Sequence, residues 1–300
     1  MQVIRATAMG MCFGVRDALQ TAATTDAPEA TTIYGELVHN GEVRRGLDAR
    51  GFRQIDEDAR EAPIATRRVL ITAHGIADAE RARLRARGHE LIDTTCPLVK
   101  RAHTAALAFD REGRHVVVLG RHGHVEVRGL VGDLSAATVV ASLDDVRTWP
   151  HTRLGVVCQT TPAESDAATL FGAIVAANPR AEVAFADTIC EPTRQRQSAI
   201  VALSAQVDVV VVVGGRGSNN TRQLVRTCEA LGRRVVHVET AADLDAAWFA
   251  GCDVVGLTAG TSTTDATIDA VERALRAFEV TARPDGGGVA ASSRGLPCAP

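Results

Sequence analysis

Five consecutive valines, Val209–Val213, follow an aspartate and run into Gly214 and Gly215. β-Branched side chains favour extended backbone, and a strand with one wet face would alternate apolar with polar residues. No alternation occurs here, so the run predicts an interior strand of a parallel sheet covered by helices on both faces. Similar short runs recur at 31–37, 67–75, 89–95, 114–120, 137–143, 153–159, 181–187, 233–239 and 252–260, with a further strand inside 1–13. Helical stretches lie between them. In the segment 221–232, Leu224, Val225, Cys228 and Leu231 share one helical face and Gly232 follows as a C-terminal stop. Strand–helix alternation throughout predicts an α/β protein with parallel sheets.

The tetrapeptide pattern Asp-Thr-x-Cys occurs at 93–96 and again at 187–190, each time after an apolar strand and before a helical stretch. It divides the chain into segments of similar length. Three α/β units are expected, at 14–96, 97–190 and 191–282, with the N-terminal strand 1–13 joining the third. The Gly-, Pro- and Ser-rich stretch 283–300 is expected to be a mobile tail. Cys12 occupies the same setting as Cys96 and Cys190: past a strand and just before a helix. Three units would then each deliver one cysteine to a shared point.

Ligands of parallel sheets collect beyond the carboxyl ends of the strands. Those positions here carry His39 and Asn40, His74, His124 and Glu126, Gln159–Thr161, Ser218–Thr221, and Thr261–Thr264. Net charge is −3 and aromatic content 3%, which argue against nucleic-acid binding and base-stacking platforms. Lys100 is the single lysine, so phosphate-loop lysine chemistry is excluded. No apolar run is long enough to span a membrane, and the N-terminus lacks the apolar core of a signal peptide; the expectation is a cytoplasmic protein whose cysteines are thiols or metal ligands, not disulfides.

Three strand-end cysteines next to helix starts suit a metal centre, because thiolates bind iron–sulfur clusters and a helix N-terminus favours the deprotonated sulfur. A 4Fe–4S cluster on Cys12, Cys96 and Cys190 would leave one iron open to substrate; a Cys3His zinc site is the other option. Cys158, Cys228 and Cys252 read as ordinary core thiols, and Cys298 lies in the tail. His39, His74 and His124 with Ser218, Asn220 and Ser262 could wrap an anion, since imidazolium, hydroxyl and amide groups all donate to phosphate. Glu126 beside them could donate a proton if burial raises its pKa.

The motifs GMCFGV (10–15), GELVHN (35–40), TAHG (72–75), DTTCPLV (93–99), GHVEVRGLVG (123–132), QTT (159–161), DTIC (187–190), GSNNT (217–221) and TAGTST (258–263) resemble, in order, those of the 4-hydroxy-3-methylbut-2-enyl diphosphate reductase (LytB/IspH) family. The resemblance implies a 4Fe–4S cluster on the three cysteines, within three similar α/β units arranged around a central cavity, and a two-electron, two-proton dehydroxylation giving isopentenyl and dimethylallyl diphosphates. It implies that His39, His74, His124, Ser218, Asn220 and Ser262 grip the substrate diphosphate, with Asn40 and Asn219 in the same binding set. Glu126 would supply the proton, Thr160 would hold the substrate hydroxyl, and His124 would act beside them. Reduced ferredoxin or flavodoxin is the family-like electron donor. Met11, Val125, Gly217, Asn219 and Thr264 depart from the family's usual residues, which keeps open a paralogue acting on a related allylic diphosphate. A non-enzymatic iron–sulfur sensor or electron carrier would use the same cysteines without the anion-binding set. A zinc hydrolase would need histidine or carboxylate ligands to complete them.

Overall fold

The computed structural model describes residues 1–278; the tail at 283–300 and Cys298 fall outside that range. In chain order the elements are β1 Gln2–Arg5, α1 Phe13–Ala23, β2 Thr31–Tyr34, α2 Gly41–Ala49, β3 Arg53–Ile55, β4 Arg68–Ile71, α3 Asp78–Ala86, β5 Glu90–Asp93 and α4 Pro97–Arg111. They continue with β6 His115–Leu119, α5 Val125–Val131, β7 Ala137–Val140, β8 Arg153–Cys158, α6 Glu164–Ala177 and β9 Glu182–Ala186. The last are α7 Glu191–Ser204, β10 Val209–Val213, α8 Asn219–Ala230, β11 Arg234–Val238, β12 Val254–Ala259 and α9 Asp265–Ala277.

Three four-stranded sheets result, with orders β3-β2-β4-β5, β7-β6-β8-β9 and β11-β10-β12-β1, and every pairing is parallel. The order is the same in each sheet. In the third, the fourth place is taken by the chain's first strand, β1, which pairs with β12 from Gln2↔Val254 to Arg5↔Leu257.

The five valines occupy an interior strand and all are fully buried. Because side chains alternate across a strand, Val209, Val211 and Val213 pack with Phe249, Ile268 and Val271, while Val210 and Val212 pack with Ile200, Leu203 and Leu224. The second sheet is covered likewise. Val117 and Leu119 meet Leu170 and Ile174 of α6, and Val116 and Val118 meet Ala102 and Ala106 of α4. Two apolar faces per sheet explain the absence of alternation.

Two local expectations need correction. Leu231 is not part of the buried face of α8: it is the C-cap residue and is 45% exposed, whereas Leu224 and Cys228 are buried. The short edge strand β3, Arg-Gln-Ile, carries no β-branched run and was not anticipated. Among the described residues, no helix is long and apolar enough to cross a membrane.

Candidate active site

A parallel sheet flanked by helices points the carboxyl ends of its strands and the N-termini of the following helices the same way. Cys12, Cys96 and Cys190 are the N-cap residues of α1, α4 and α7, the helices that follow the fourth strand of each sheet. Each cysteine amide donates to an equivalent carbonyl just past the third strand of a sheet: Cys96 to Ala73 (3.0 Å), Cys190 to Thr160 (2.9 Å) and Cys12 to Thr261 (3.2 Å). The repeated Asp-Thr has a structural cause. Asp93 Oδ1 accepts from the Thr95 amide and Asp187 Oδ1 from the Ile189 amide, turning the chain. Thr94 Oγ1 donates to Ile71 O of β4, and Thr188 Oγ1 both accepts from Cys158 N and donates to Cys158 O of β8.

The three cysteines lie within electrostatic reach of one another. A Cβ on Gly14, two residues after Cys12, would lie 2.5 Å from Cys96 Sγ, so that glycine is a cradle for the second cysteine. Charge on Cys12 acts on both Cys96 and Cys190, as does charge on Glu126. Burial pushes Cys190 up to about 11 against the Thr193 hydroxyl, 3.1 Å from its Sγ, and raises Cys96 too. Buried thiols of this kind are stabilised as thiolates by a metal. Among the described residues, no three His, Cys, Asp or Glu side chains close on a point that could hold a single metal ion. The donor chemistry and the Gly14 cradle fit an iron–sulfur group.

Beside the sulfurs lies a cavity enclosing ≈ 350 Å³, mouth included, whose lining contains His39, His74, His124, Glu126, Ser218, Asn219, Asn220 and Ser262. The three imidazole rings cluster, with centroids 4.3 Å (His39–His74), 5.3 Å (His39–His124) and 5.8 Å (His74–His124) apart. His39 Nε2, His74 Nδ1 and Asn220 Nδ2 are buried without a hydrogen-bond partner. Orphaned buried polar atoms are costly and rare, and on a cavity wall they mark a ligand's place.

The surrounding groups aim these side chains. Glu36, three residues before His39, meets His39 Nδ1 at 2.8 Å, and that bond holds the Glu36 carboxyl below its usual range. Asn220 Oδ1 accepts from Thr261 N (3.1 Å), turning its amide nitrogen free. His124 caps α5, and its Nδ1 accepts from Glu126 N (3.1 Å), which places the ring proton on Nε2. A Cβ at Gly215 would meet His39 O at 2.6 Å, so the loop after β10 closes on the His39 loop only as glycine.

Electrostatically, His74 and His124 are neutral. Burial and the charge of His39 push His74 well below the ordinary imidazole range, and burial, then His39, Arg121 and Arg222, take His124 down to about 3. As a neutral ring His124 donates from Nε2; the His74 ring is hydrogen-bonded to the Glu36 backbone, so its Nδ1 donates only when the ring takes up a second proton, as an anion beside it favours. Glu126 is 2% exposed; burial raises it to about 7, against the Thr160 amide on Oε1 (2.6 Å) and the Thr160 hydroxyl on Oε2 (3.1 Å).

Two expected binding residues have other work. Asn40 is the N-cap of α2: its Oδ1 accepts from Glu42 N and Val43 N, and its Nδ2 donates one hydrogen to Ser262 O, leaving the second of its two amide hydrogens. Asn219 lines the cavity, but its Nδ2 is held by Thr161 O (3.2 Å) and Oγ1 (3.0 Å). Thr160 holds Glu126, and its neighbour Thr161 faces the cavity. Ser218 caps α8 and Ser262 Oγ donates to His39 O. Glu36 and Gly14 were not singled out from sequence, although each lies inside a motif quoted there; Thr161 was placed at a strand end but given no role. Among the departing residues, Thr264 caps α9 through Thr267 N, and Val125 is buried at the first position of α5.

Fold and site together define a three-sheet α/β protein whose centre joins three capping thiols, a buried carboxylic acid and a wall of anion donors. The chain belongs to the LytB family, whose model, described as LytB protein, matches residues 3–276. A 4-hydroxy-3-methylbut-2-enyl diphosphate reductase from Anaeromyxobacter sp. (strain K) is 37% identical over 283 residues, covering 93% of this chain and all of that protein. One from Aquifex aeolicus is 36% identical, over 91% of this chain and 96% of its own. The solved E-1-hydroxy-2-methyl-but-2-enyl-4-diphosphate reductase of Plasmodium falciparum superposes with a TM-score of 0.82 at 26% identity, covering 89% of this chain and 86% of that one. A second structure, titled as the terminal enzyme of the non-mevalonate pathway, gives 0.63 at 34% identity, over 92% and 99%.

Proposed function

We propose that the chain is an iron–sulfur reductive dehydroxylase that converts 4-hydroxy-3-methylbut-2-enyl diphosphate into isopentenyl and dimethylallyl diphosphates. One observation carries the reading: a single cavity has orphaned polar atoms of His39, His74 and Asn220 on its wall and a raised carboxylic acid in the same lining, and that acid lies within electrostatic reach of Cys96 and Cys190. The reductase names of its relatives agree with it.

Cys12, Cys96 and Cys190 would hold a 4Fe–4S cluster, and Gly14 leaves the room for Cys96 to do so. Such a cluster, when bound, supplies electrons and an open iron that acts as a Lewis acid. The chain's own groups do the rest. His39 Nε2, His124 Nε2, Asn220 Nδ2 and the Ser218 hydroxyl bind the diphosphate, joined by His74 Nδ1 once the anion draws a proton onto that ring and by the Ser262 hydroxyl once it turns from His39 O, in a field made positive by the N-termini of α2, α5 and α8. Glu126 carries a proton on a carboxyl oxygen, and Thr160 fixes that carboxyl through two hydrogen bonds. The overall change takes two electrons and two protons, breaks the carbon–hydroxyl bond and releases water. Reduced ferredoxin or flavodoxin is the proposed electron source. The free cysteines fit a reducing compartment, the cytoplasm.

Anaerobic reconstitution tests this. Four irons and four sulfides per chain, and turnover of the hydroxymethylbutenyl diphosphate with an artificial reductant, are expected. A chain that takes up no iron under these conditions refutes the reading. Full cluster loading without turnover transfers it to a related allylic diphosphate. Reversible reduction with no diphosphate binding would favour an electron carrier, which leaves the imidazole and Asn220 donors without a role.

A further inference from the structure

A second concavity, enclosing ≈ 640 Å³ with its mouth, opens between the carboxyl ends of β6 and β8 and the start of α8. Its lining includes Arg121, Arg222, Arg226, Gln223, Gln159 and Asn219. Elsewhere many arginines meet carboxylates, Arg5 with Glu272, Arg60 with Glu57, Arg83 with Glu61 and Arg194 with Glu164, and others without an ion pair, such as Arg45, Arg85 and Arg87, stand exposed to water rather than in a recess. Among the described residues, the side chains of Arg121, Arg222 and Arg226 form no ion pair and no hydrogen bond, and Arg222 Nε is buried without a partner. Asp166, the one carboxylate in the lining, forms no ion pair either.

Like charges gathered in a partly desolvated recess repel one another, and an unpaired buried guanidinium nitrogen is costly. Burial, with the charges of Arg121 and Arg226, weakens the hold of Arg222 on its own proton. An anion in the recess would relieve all three at once. Guanidinium forks match phosphate oxygens in pairs, and three positive charges balance the two or three negative charges of a diphosphate better than the one of a carboxylate. The floor, with Leu119, Val140 and Leu170, adds apolar contact.

We propose that this concavity is a second oxyanion site, for a diphosphate-bearing molecule, set back to back with the central cavity. The two share a wall. Gln159 Oε1 accepts from Arg121 N (3.1 Å), Gln159 Nε2 donates to Thr161 Oγ1 (3.2 Å), and Asn219 Nδ2 reaches Thr161 from the other side. Thr160, which fixes Glu126, sits between Gln159 and Thr161. An anion drawn onto Arg121 and Arg222 pulls on the loop that shapes the central site, so occupancy of one site changes affinity at the other.

The test is calorimetric titration of the anaerobically reconstituted protein with inorganic pyrophosphate at low salt. Two binding events per chain are expected. The double substitution Arg222→Gln with Arg226→Gln should weaken one event by about tenfold or more, since charged hydrogen bonds of this kind are involved, and leave the other; His74→Gln should do the reverse. Pyrophosphate inhibition of turnover should be mixed in the wild type and purely competitive in the double variant. Isopentenyl diphosphate distinguishes the sources: equal affinity for it and pyrophosphate means the group alone is recognised, whereas tighter binding of the prenyl compound assigns its tail to the apolar floor. Arg226→Gln alone, at an exposed side chain, gives the same direction if the double variant folds poorly. If both events survive the arginine substitutions, or one event occurs and His74→Gln alone removes it, the second site does not exist. If one event occurs and only the arginine substitutions remove it, the second site stands and diphosphate binding at the central cavity fails.

Discussion

Burial raises Glu126 to about 7 while the Thr160 amide and hydroxyl pull it down. The balance leaves a carboxyl that holds its proton at neutral pH and can give it up, which suits a general acid. The sign follows: the protonated form is the active one, so kcat/KM should be flat below about 7 and fall roughly tenfold per pH unit above it. Glu126→Gln keeps an oxygen for the Thr160 amide but has no proton to deliver. It should bind cluster and substrate, lose about a hundredfold or more in turnover and lose the pH dependence as well. A profile unchanged by the substitution would take Glu126 out of the proton role. Gly14 makes a second prediction at this scale. A methyl there would stand 2.5 Å from Cys96 Sγ and 3.1 Å from its Cβ, so Gly14→Ala must turn the cysteine away. The variant should fold, by circular dichroism, and take up clearly less iron and sulfide than wild type.

At the scale of elements, the same device appears twice. An aspartate turns the chain after the fourth strand and a threonine ties that turn to the third strand, so the next cysteine caps the next helix. The two copies are not equal. Thr188 satisfies both Cys158 N and Cys158 O, whereas Thr94 Oγ1 bonds only Ile71 O, which also accepts from Thr94 N. Thr188→Val therefore orphans two buried groups and should cost about 2–3 kcal/mol, against about 1 kcal/mol for Thr94→Val. Chemical denaturation of the two variants side by side checks the difference; equal losses would mean the threonines act alike. This is also where sequence was most readable. Dense β-branched runs exposed the buried strands, and strand ends exposed the ligand-facing loops, because parallel sheets must be apolar on both faces. β3 escaped because three residues on a sheet edge need no such run. The capping role of Asn40 was not legible because a helix cap and an anion donor draw on the same residue types. The unpaired arginines could not be read at all, since lacking a partner is a property of the folded surroundings.

Over the whole molecule, the third cysteine lacks the Asp-Thr flank for a topological reason. The fourth strand of the third sheet is the chain's own beginning, so the connection from β1 to Cys12 is longer and is fastened differently. Arg196, buried in α7 between one and two turns past Cys190, donates through Nε and Nη2 to Gly10 O at 3.1 and 2.6 Å, tying the Cys12 loop to the Cys190 helix. The three units thus meet through contacts that cross the full length of the sequence. Asn40 reaches Ser262, Arg101 reaches Ile189, and Gln197 reaches Pro162. A body bound to one cysteine from each helix start would bind only when all three are assembled, and anything that binds the folded state alone stabilises it by mass action. At a thousandfold excess over its dissociation constant the gain is about 4 kcal/mol, which for a chain of this size is on the order of 10 °C in Tm. Air-bleached, chelator-treated protein should therefore melt well below the anaerobic form, with hydrogen exchange accelerating first in the loops around residues 8–14, 94–98 and 188–193. Cys12→Ser should reproduce that low Tm without chelator. If bleaching changes neither Tm nor exchange at those three loops, the cysteines do not share a ligand and the units are held together by their own contacts alone.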